Sequence, residues 1–335
     1  MAKREIVYVP ILKSKAGERW ALSGLRSSTK AKIRPLLEFH PHKSKLVGDH
    51  VESVCEALQA AWGVNRWFYV DTIWLHGDAG SPAIIGEVFE STNESDLQAV
   101  PVVRPTYDDA SLEQLQDIIT EGDRGYLLRI TPETLSTPAL IGAVVDALGF
   151  PKSKIDLLLD YRQHPMTLDT HIPLVPNLMQ WRSLIASSGV FPKSLLSWPL
   201  HQWHVLPRHD WLSWQTGIGS TIRRKPIFGD YTMRAPGAPA EFGDPSVNLR
   251  YALDDHWLVQ MGGKHKDGAA VEMHGIASEL VARPEFFGAE YSVGDEEINR
   301  VTDDEEGPGG PTQWLQWCVS HHLEHVVQQI SSIGV

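Results

Sequence analysis

Along the first two-thirds of the chain, short runs of Val, Ile, Leu and aromatic residues alternate with stretches of helical period. The runs are IVYVPILK at 6–13, RPLLEF at 34–39, RWFYVD at 66–71, VPVVRP at 100–105, YLLRI at 126–130 and IDLLLDYR at 155–162. Near-continuous apolar strands are expected where both faces are covered, as in a parallel sheet. Between them, a helix over 18–32 places Trp20, Leu22, Leu25 and the following Ile33 near one side. Further helices are predicted over 50–62, ended by Gly63, and over 82–90. Another is capped by Ser111, and a fourth starts at Thr137 and Pro138 and stops at Gly149.

A strand that ends on a charge and is followed by a helix is the repeating unit of an α/β barrel, and the fold class read here is a (β/α)8, TIM-like barrel. Completing eight strands takes LLSWP at 195–199 as the seventh and PIFGDY at 226–231 as the eighth, with helices over 175–186 and 210–216. The alternative is an open doubly wound sheet. That fold usually carries a Gly-rich phosphate turn after its first strand, and SKAGE at 14–18 is not one.

Past residue 234 the rhythm changes. A Pro/Gly loop at 235–246 leads to a hairpin, NLRYALDD followed by HWLVQMGGK, and then to a helix over 269–282. The acidic, Gly/Pro-rich stretch 294–311 reads as a mobile surface loop, and an amphipathic helix over 312–330 closes the chain. The expected organisation is a barrel core over 1–234 with 235–335 packed on it, a single domain overall.

Composition narrows the classes. With 42% hydrophobic and 21% charged residues the chain is an ordinary globular sequence, and a formal charge of −12 argues against a general nucleic-acid binder. Two cysteines, Cys55 and Cys318, rule out a disulfide framework and a Cys-based zinc site. No apolar run suits a signal peptide or a membrane span, so the cytoplasm is the expected compartment and no membrane the expected partner.

Tyr8, Pro10, Leu12, Lys13, Lys15, Glu18, Ala21, Leu22, Leu25, Pro35 and Glu38 make the opening similar to that of the phage-type beta-protein family, named after a T-even phage protein. The C-terminal part resembles it too, through Arg250-Tyr251, Trp257, Gly262, Tyr291-Ser292, Gly294-Asp295, Ile298, Trp314 and His321-His322. The resemblance implies membership rather than a reaction. Family members occur in prophage and phage-defence settings, which makes a non-catalytic protein-interaction component the alternative function and another protein a candidate partner.

In a (β/α) barrel the ligand site lies at the C-terminal ends of the strands. Those ends carry Lys13 and Lys15, Glu38, Asp71, Arg104, Arg129, Asp160 with Arg162, and Asp230. In the functional reading Glu38, Asp71, Asp160 and Asp230 are the acid, base or Mg²⁺ ligands, though nothing in their spacing demands a metal and no cofactor motif is present. Lys13, Lys15, Arg104, Arg129 and Arg162 then bind an anionic, phosphate- or nucleotide-like small molecule. The competing arrangement is a salt-bridged ring that plugs the mouth.

Other motifs read as structural. His40 and His42 suit a solvated loop better than zinc. HHLEH at 321–325 lacks the Glu position of a zinc-protease helix and reads as a capping helix, or as one imidazole reaching the mouth. Gly262-Gly263-Lys264 fits a hairpin exit better than a phosphate cradle, and Arg223-Arg224-Lys225 falls on the stability face.

Overall fold

The computed structural model describes residues 6–237 and 245–334, so the middle of the predicted Pro/Gly loop lies outside the described residues. Among them the strands are, in chain order, β1 (Tyr8–Lys13), β2 (Leu36–Glu38), β3 (Trp67–Asp71), β4 (Gln98–Val103), β5 (Tyr126–Ile130), β6 (Ile155–Asp160), β7 (Ser183–Ser188), β8 (Trp203–Pro207), β9 (Ile227–Asp230), β10 (Ser246–Ala252) and β11 (His256–Lys264). Strands β1 to β7 and β9 close into a parallel barrel in sequence order, β9 pairing back onto β1. The chain is therefore a (β/α)8 barrel, and the open-sheet alternative falls.

Alternation along each strand sorts side chains into two compartments. Val9, Ile11, Leu36, Val100, Val102, Leu127, Leu158 and Ile185 form a separate buried cluster that fills the barrel. The intervening positions, among them Tyr8, Leu37, Val70, Leu128, Leu157 and Phe228, pack outward against the helices. Helix faces are built for this layer: Val51, Val54, Cys55 and Leu58 of the helix Val47–Trp62 recur at helical spacing and are all buried. Gly63 ends that helix at φ +87°, a conformation that only glycine adopts without strain.

The apolar filling is sealed below by a polar floor on Asp156. Arg182 grips its carboxylate with two hydrogen bonds, Nε at 2.8 Å and Nη2 at 2.6 Å, while the Tyr69 hydroxyl donates at 2.6 Å. Ser183 Oγ donates to it as well, and Arg34 Nη1 lies at 3.3 Å. The Trp67 ring has the Arg34 and Arg182 guanidinium carbons at 5.1 and 5.6 Å from its centroid.

Several elements differ from the sequence reading. The seventh barrel strand is Ser183–Ser188, overlapping the end of the stretch 175–186 predicted as a helix, and LLSWP at 195–199 is irregular. The reason is chemical: Ser183 and Ser187 donate to the Asp156 and Asp160 carboxylates inside the barrel, so small polar residues stand where an apolar run was sought. The helix expected to be capped by Ser111 starts earlier, with Asp108 as its cap accepting from the Ser111 N–H. Within the predicted loop 294–311, Val293–Arg300 is a helix capped by Ser292.

Outside the barrel, β8 joins the predicted hairpin in an antiparallel sheet of order β10–β11–β8, so this sheet takes a strand from ahead of residue 235. The C-terminal helix Pro311–Ile333 packs between it and the helix Ala16–Gly24. It is buried on nearly every side from Trp317 to Val327, which explains why its polar residues need specific partners. Among the described residues no helix is long and apolar enough to cross a membrane.

Candidate functional site

Register brings the charged strand ends together. Lys13 is paired in register with Glu38, and Glu38 with Asp71, so these three enter one layer at the C-terminal mouth. Into that layer reaches Arg129, buried to 4% exposure. Its Nη1 donates to Asp71 at 2.7 Å and to Glu38 at 2.9 Å, and its Nε and Nη2 donate to Asp160 at 3.0 and 2.8 Å. Nη2 also meets the Tyr231 hydroxyl, which donates to Asp160 at 2.7 Å. Arg104, just past β4, donates to Asp71 at 2.6 Å.

Two of the three carboxylates are fully engaged. Asp71 accepts the Ile73 N–H on one oxygen and both arginines on the other. Asp160 accepts from the Arg162 N–H and Ser187 on one oxygen, and from Arg129 and Tyr231 on the other. Glu38 gives one oxygen to Arg129; the second, Oε2, is buried outside normal hydrogen-bond geometry, with the Trp74 indole N–H, itself unpaired, acting on the same carboxyl. The titrations follow. Burial pushes Asp71 up, but Arg104 and Arg129 outweigh it and hold the group at about 2. Arg129 and Tyr231 likewise hold Asp160 low against its burial. For Glu38 burial wins, assisted by the Asp71 charge and opposed by Arg129 and the Trp74 indole N–H, and its carboxyl sits above the usual range.

A cavity of about 430 Å³ opens over this layer. Glu38, Arg104, Arg129, Asp160 and Tyr231 form its base, and Trp74 and Arg162 belong to its wall. Arg162 is exposed, with φ +53°, and among the described residues no carboxylate forms a salt bridge with its guanidinium. Lys13 is buried beside the mouth, donating to the Gly237 carbonyl at 2.9 Å, and Lys15 is exposed ahead of the helix Ala16–Gly24.

Asp230 does not join them. In β7 and β9, Ser187 pairs with Gly229 and Ser188 with Asp230, and Ser187 is the inward residue. A shift of one residue reverses the face, so Asp230 points outward and Tyr231 enters the mouth in its place. Asp230 accepts from Tyr8 at 2.5 Å and from the Thr232 N–H, and faces His322 Nε2 at 2.8 Å. A shared local geometry explains the strand-end aspartates: Asp71, Asp160 and Asp230 each accept the N–H two residues on, an Asx turn that ends the strand.

The remaining motifs are placed as follows. His321 lies between Asp295 and the Ala252 carbonyl, and Tyr251 and Ser292 donate to the same Asp295, so four residues of the C-terminal resemblance form one buried cluster away from the mouth. His40 is buried against Trp74 and His42 is exposed. Gly263 donates its N–H to Glu272, which leaves it no part in a phosphate cradle. Arg224 donates to the Leu178, Trp181 and Arg182 carbonyls at the floor side. Cys55 and Cys318 are buried thiols. Among the described residues no three His, Cys, Asp or Glu side chains are arranged to hold a metal ion. The sequence reading passed over Tyr231, Ser187 and Trp74; of these only Tyr231, at the end of a predicted strand, carried a positional signal.

A family model described as Beta protein matches residues 8–328. No curated relative matches the chain. Among solved structures the chain is similar to the crystal structure of the Bacillus megaterium QM B1551 spore cortex-lytic enzyme SleL. Identity is 9% and the TM-score 0.31, over 94% of this chain and 74% of that one, a likeness too slight to carry an argument.

Proposed function

The chain belongs to the Beta protein family, and we propose that it binds an anionic, phosphate-bearing small molecule at the C-terminal mouth of the barrel, with Glu38 as proton donor and acceptor. The observation that carries this reading is a contrast among carboxylates: Asp71 and Asp160 have both oxygens in hydrogen bonds, whereas Glu38, which lines the cavity, keeps Oε2 out of normal hydrogen-bond geometry with the Trp74 indole N–H beside it. A carboxyl raised above its usual range and held by a fixed guanidinium suits general acid–base work. Arg162, exposed at the rim, is the cation available to the ligand, while Arg104 and Arg129 hold the carboxylates in place.

In a hydrolysis at this site the protonated Glu38 gives its proton to the leaving oxygen as the bond to phosphorus breaks. Water supplies the incoming oxygen and returns a proton to the Glu38 carboxylate. Asp71 and Asp160 remain ionised and position Arg129.

A thermal-shift screen with nucleotides and sugar phosphates tests the reading, since a ligand that binds only the folded state raises the melting temperature. The expected hit loses most of its shift in Arg162→Ala. In Glu38→Gln it still binds, and turnover falls by about 10²- to 10⁴-fold. A screen in which no phosphate-bearing compound raises the melting temperature overturns the proposal.

A further inference from the structure

Beside the mouth lies a second cavity of about 510 Å³, between the end of β1, residues 192–196 and the face of β10. Four cationic residues line it, Lys13, Lys193, Arg234 and Arg250, and among the described residues no carboxylate does. One of the four is compensated, Arg234 by Glu18. Arg250 is held rigidly by neutral groups: Nε donates to Asn248 Oδ1 at 2.9 Å, Nη1 to the Met233 carbonyl at 2.6 Å, and the guanidinium sits 4.8 Å over the Phe191 ring. Lys13, at 6% exposure, has a backbone carbonyl as its partner. Positive charges gathered out of water without counter-charge are costly, and an anion seated among them recovers that cost. Burial, joined by the charge of nearby Arg234, lowers Lys13 to about 8 and Arg250 to about 10.

We infer that this cavity is a phosphate subsite, taking the doubly charged phosphate or pyrophosphate end of the ligand whose reacting end lies at Glu38. Lys13, Lys193 and Arg250, for which no salt-bridged carboxylate is found among the described residues, match a di- or trianion and are in excess for a monocarboxylate. The two cavities share Pro236, and Lys13 joins them through its hydrogen bond to Gly237, which lines the mouth. The inference rests on the mouth as the ligand site and adds the position of the ligand's charge.

Calorimetric titration with inorganic pyrophosphate at low and high salt tests it. The wild-type chain is expected to bind, with affinity falling as salt rises. Loss of one charge-assisted contact is expected to weaken binding about threefold in Lys193→Ala, where the side chain is exposed, and about tenfold or more in Arg250→Gln. Should Arg250→Gln fail to fold by circular dichroism, Lys193→Ala and Lys193→Glu decide, the latter expected to be the weaker binder. No binding by the wild type, or equal affinity in the Lys193 variants, overturns the subsite. Pyrophosphate bound here with no ligand or turnover at the mouth sinks the mouth reading alone. Turnover that needs Glu38 but leaves pyrophosphate unbound sinks this one alone.

Discussion

At the C-terminal mouth one guanidinium, Arg129, stands among three carboxylates; at the N-terminal floor one carboxylate, Asp156, stands between two guanidiniums and two hydroxyls. Both networks lie inside the same barrel, separated by the apolar layer around Val100, Leu127 and Ile185. The difference is what each leaves over. At the floor both Asp156 oxygens are engaged, and Arg182, ahead of its hydrogen-bonded neighbours, holds the carboxyl below its usual range against burial. The surplus charge there is positive and sits on side chains that reach solvent, Arg34 and Arg182. At the mouth the surplus is a buried carboxylate oxygen under a cavity. Burial of polar groups therefore does not by itself mark a site; an acceptor left out of the network at a residue lining a cavity does.

The comparison can be broken in four ways. Arg129→Met should have the largest effect, because it leaves buried Glu38 and Asp160 without their cation and Asp71 with Arg104 alone; a loss of roughly 3–5 kcal/mol in urea unfolding is expected. A loss under about 1 kcal/mol would mean that Arg129 does not organise the mouth. Asp156→Asn should cost less, about 2–3 kcal/mol, since the arginines it releases can turn to water. If it costs more than Arg129→Met, the floor and not the mouth is the more tightly coupled network.

Acid titration comes next. Asp71, Asp156 and Asp160 have folded values below those of unfolded carboxylates, so each contributes stability above about pH 4. That contribution is lost as pH falls towards their folded values, with roughly 2 kcal/mol for Asp71 given its folded value of about 2. Urea unfolding between pH 5 and 2 should show this decline, and a flat profile contradicts it. Glu38 has the opposite sign: raised in the folded state, it opposes stability once ionised. Glu38→Gln should then change stability by no more than about 1 kcal/mol at neutral pH. It should compare better with the wild type at pH 8 than at pH 4, and a reversed order would place the Glu38 carboxylate in a compensated environment.

Much of this architecture was legible along the chain because each barrel strand is a continuous apolar run ending on a charge, and the face on which strand ends gather is a property of the fold. Lys13, Glu38, Asp71, Arg129 and Asp160 could be gathered on those grounds alone. Asp230 could not be told from Tyr231 in the same way. Adjacent residues on a strand differ only in side, and side depends on register with β7, whose serines hide it. The basic cavity was equally hidden, since Arg234 and Arg250 flank a Pro/Gly stretch and meet Lys13 and Lys193 from remote segments.

The sequence by itself determined the strand-and-helix alternation, the barrel class and the set of charges at strand ends, since these follow from local apolar period and chain order. Only the tertiary structure decided which charges neutralise one another, which oxygen is left over and where cations collect. Those outcomes depend on register and on distances between residues more than two hundred positions apart, as in Tyr8 with Asp230 or Lys13 with Gly237, and no local pattern encodes them.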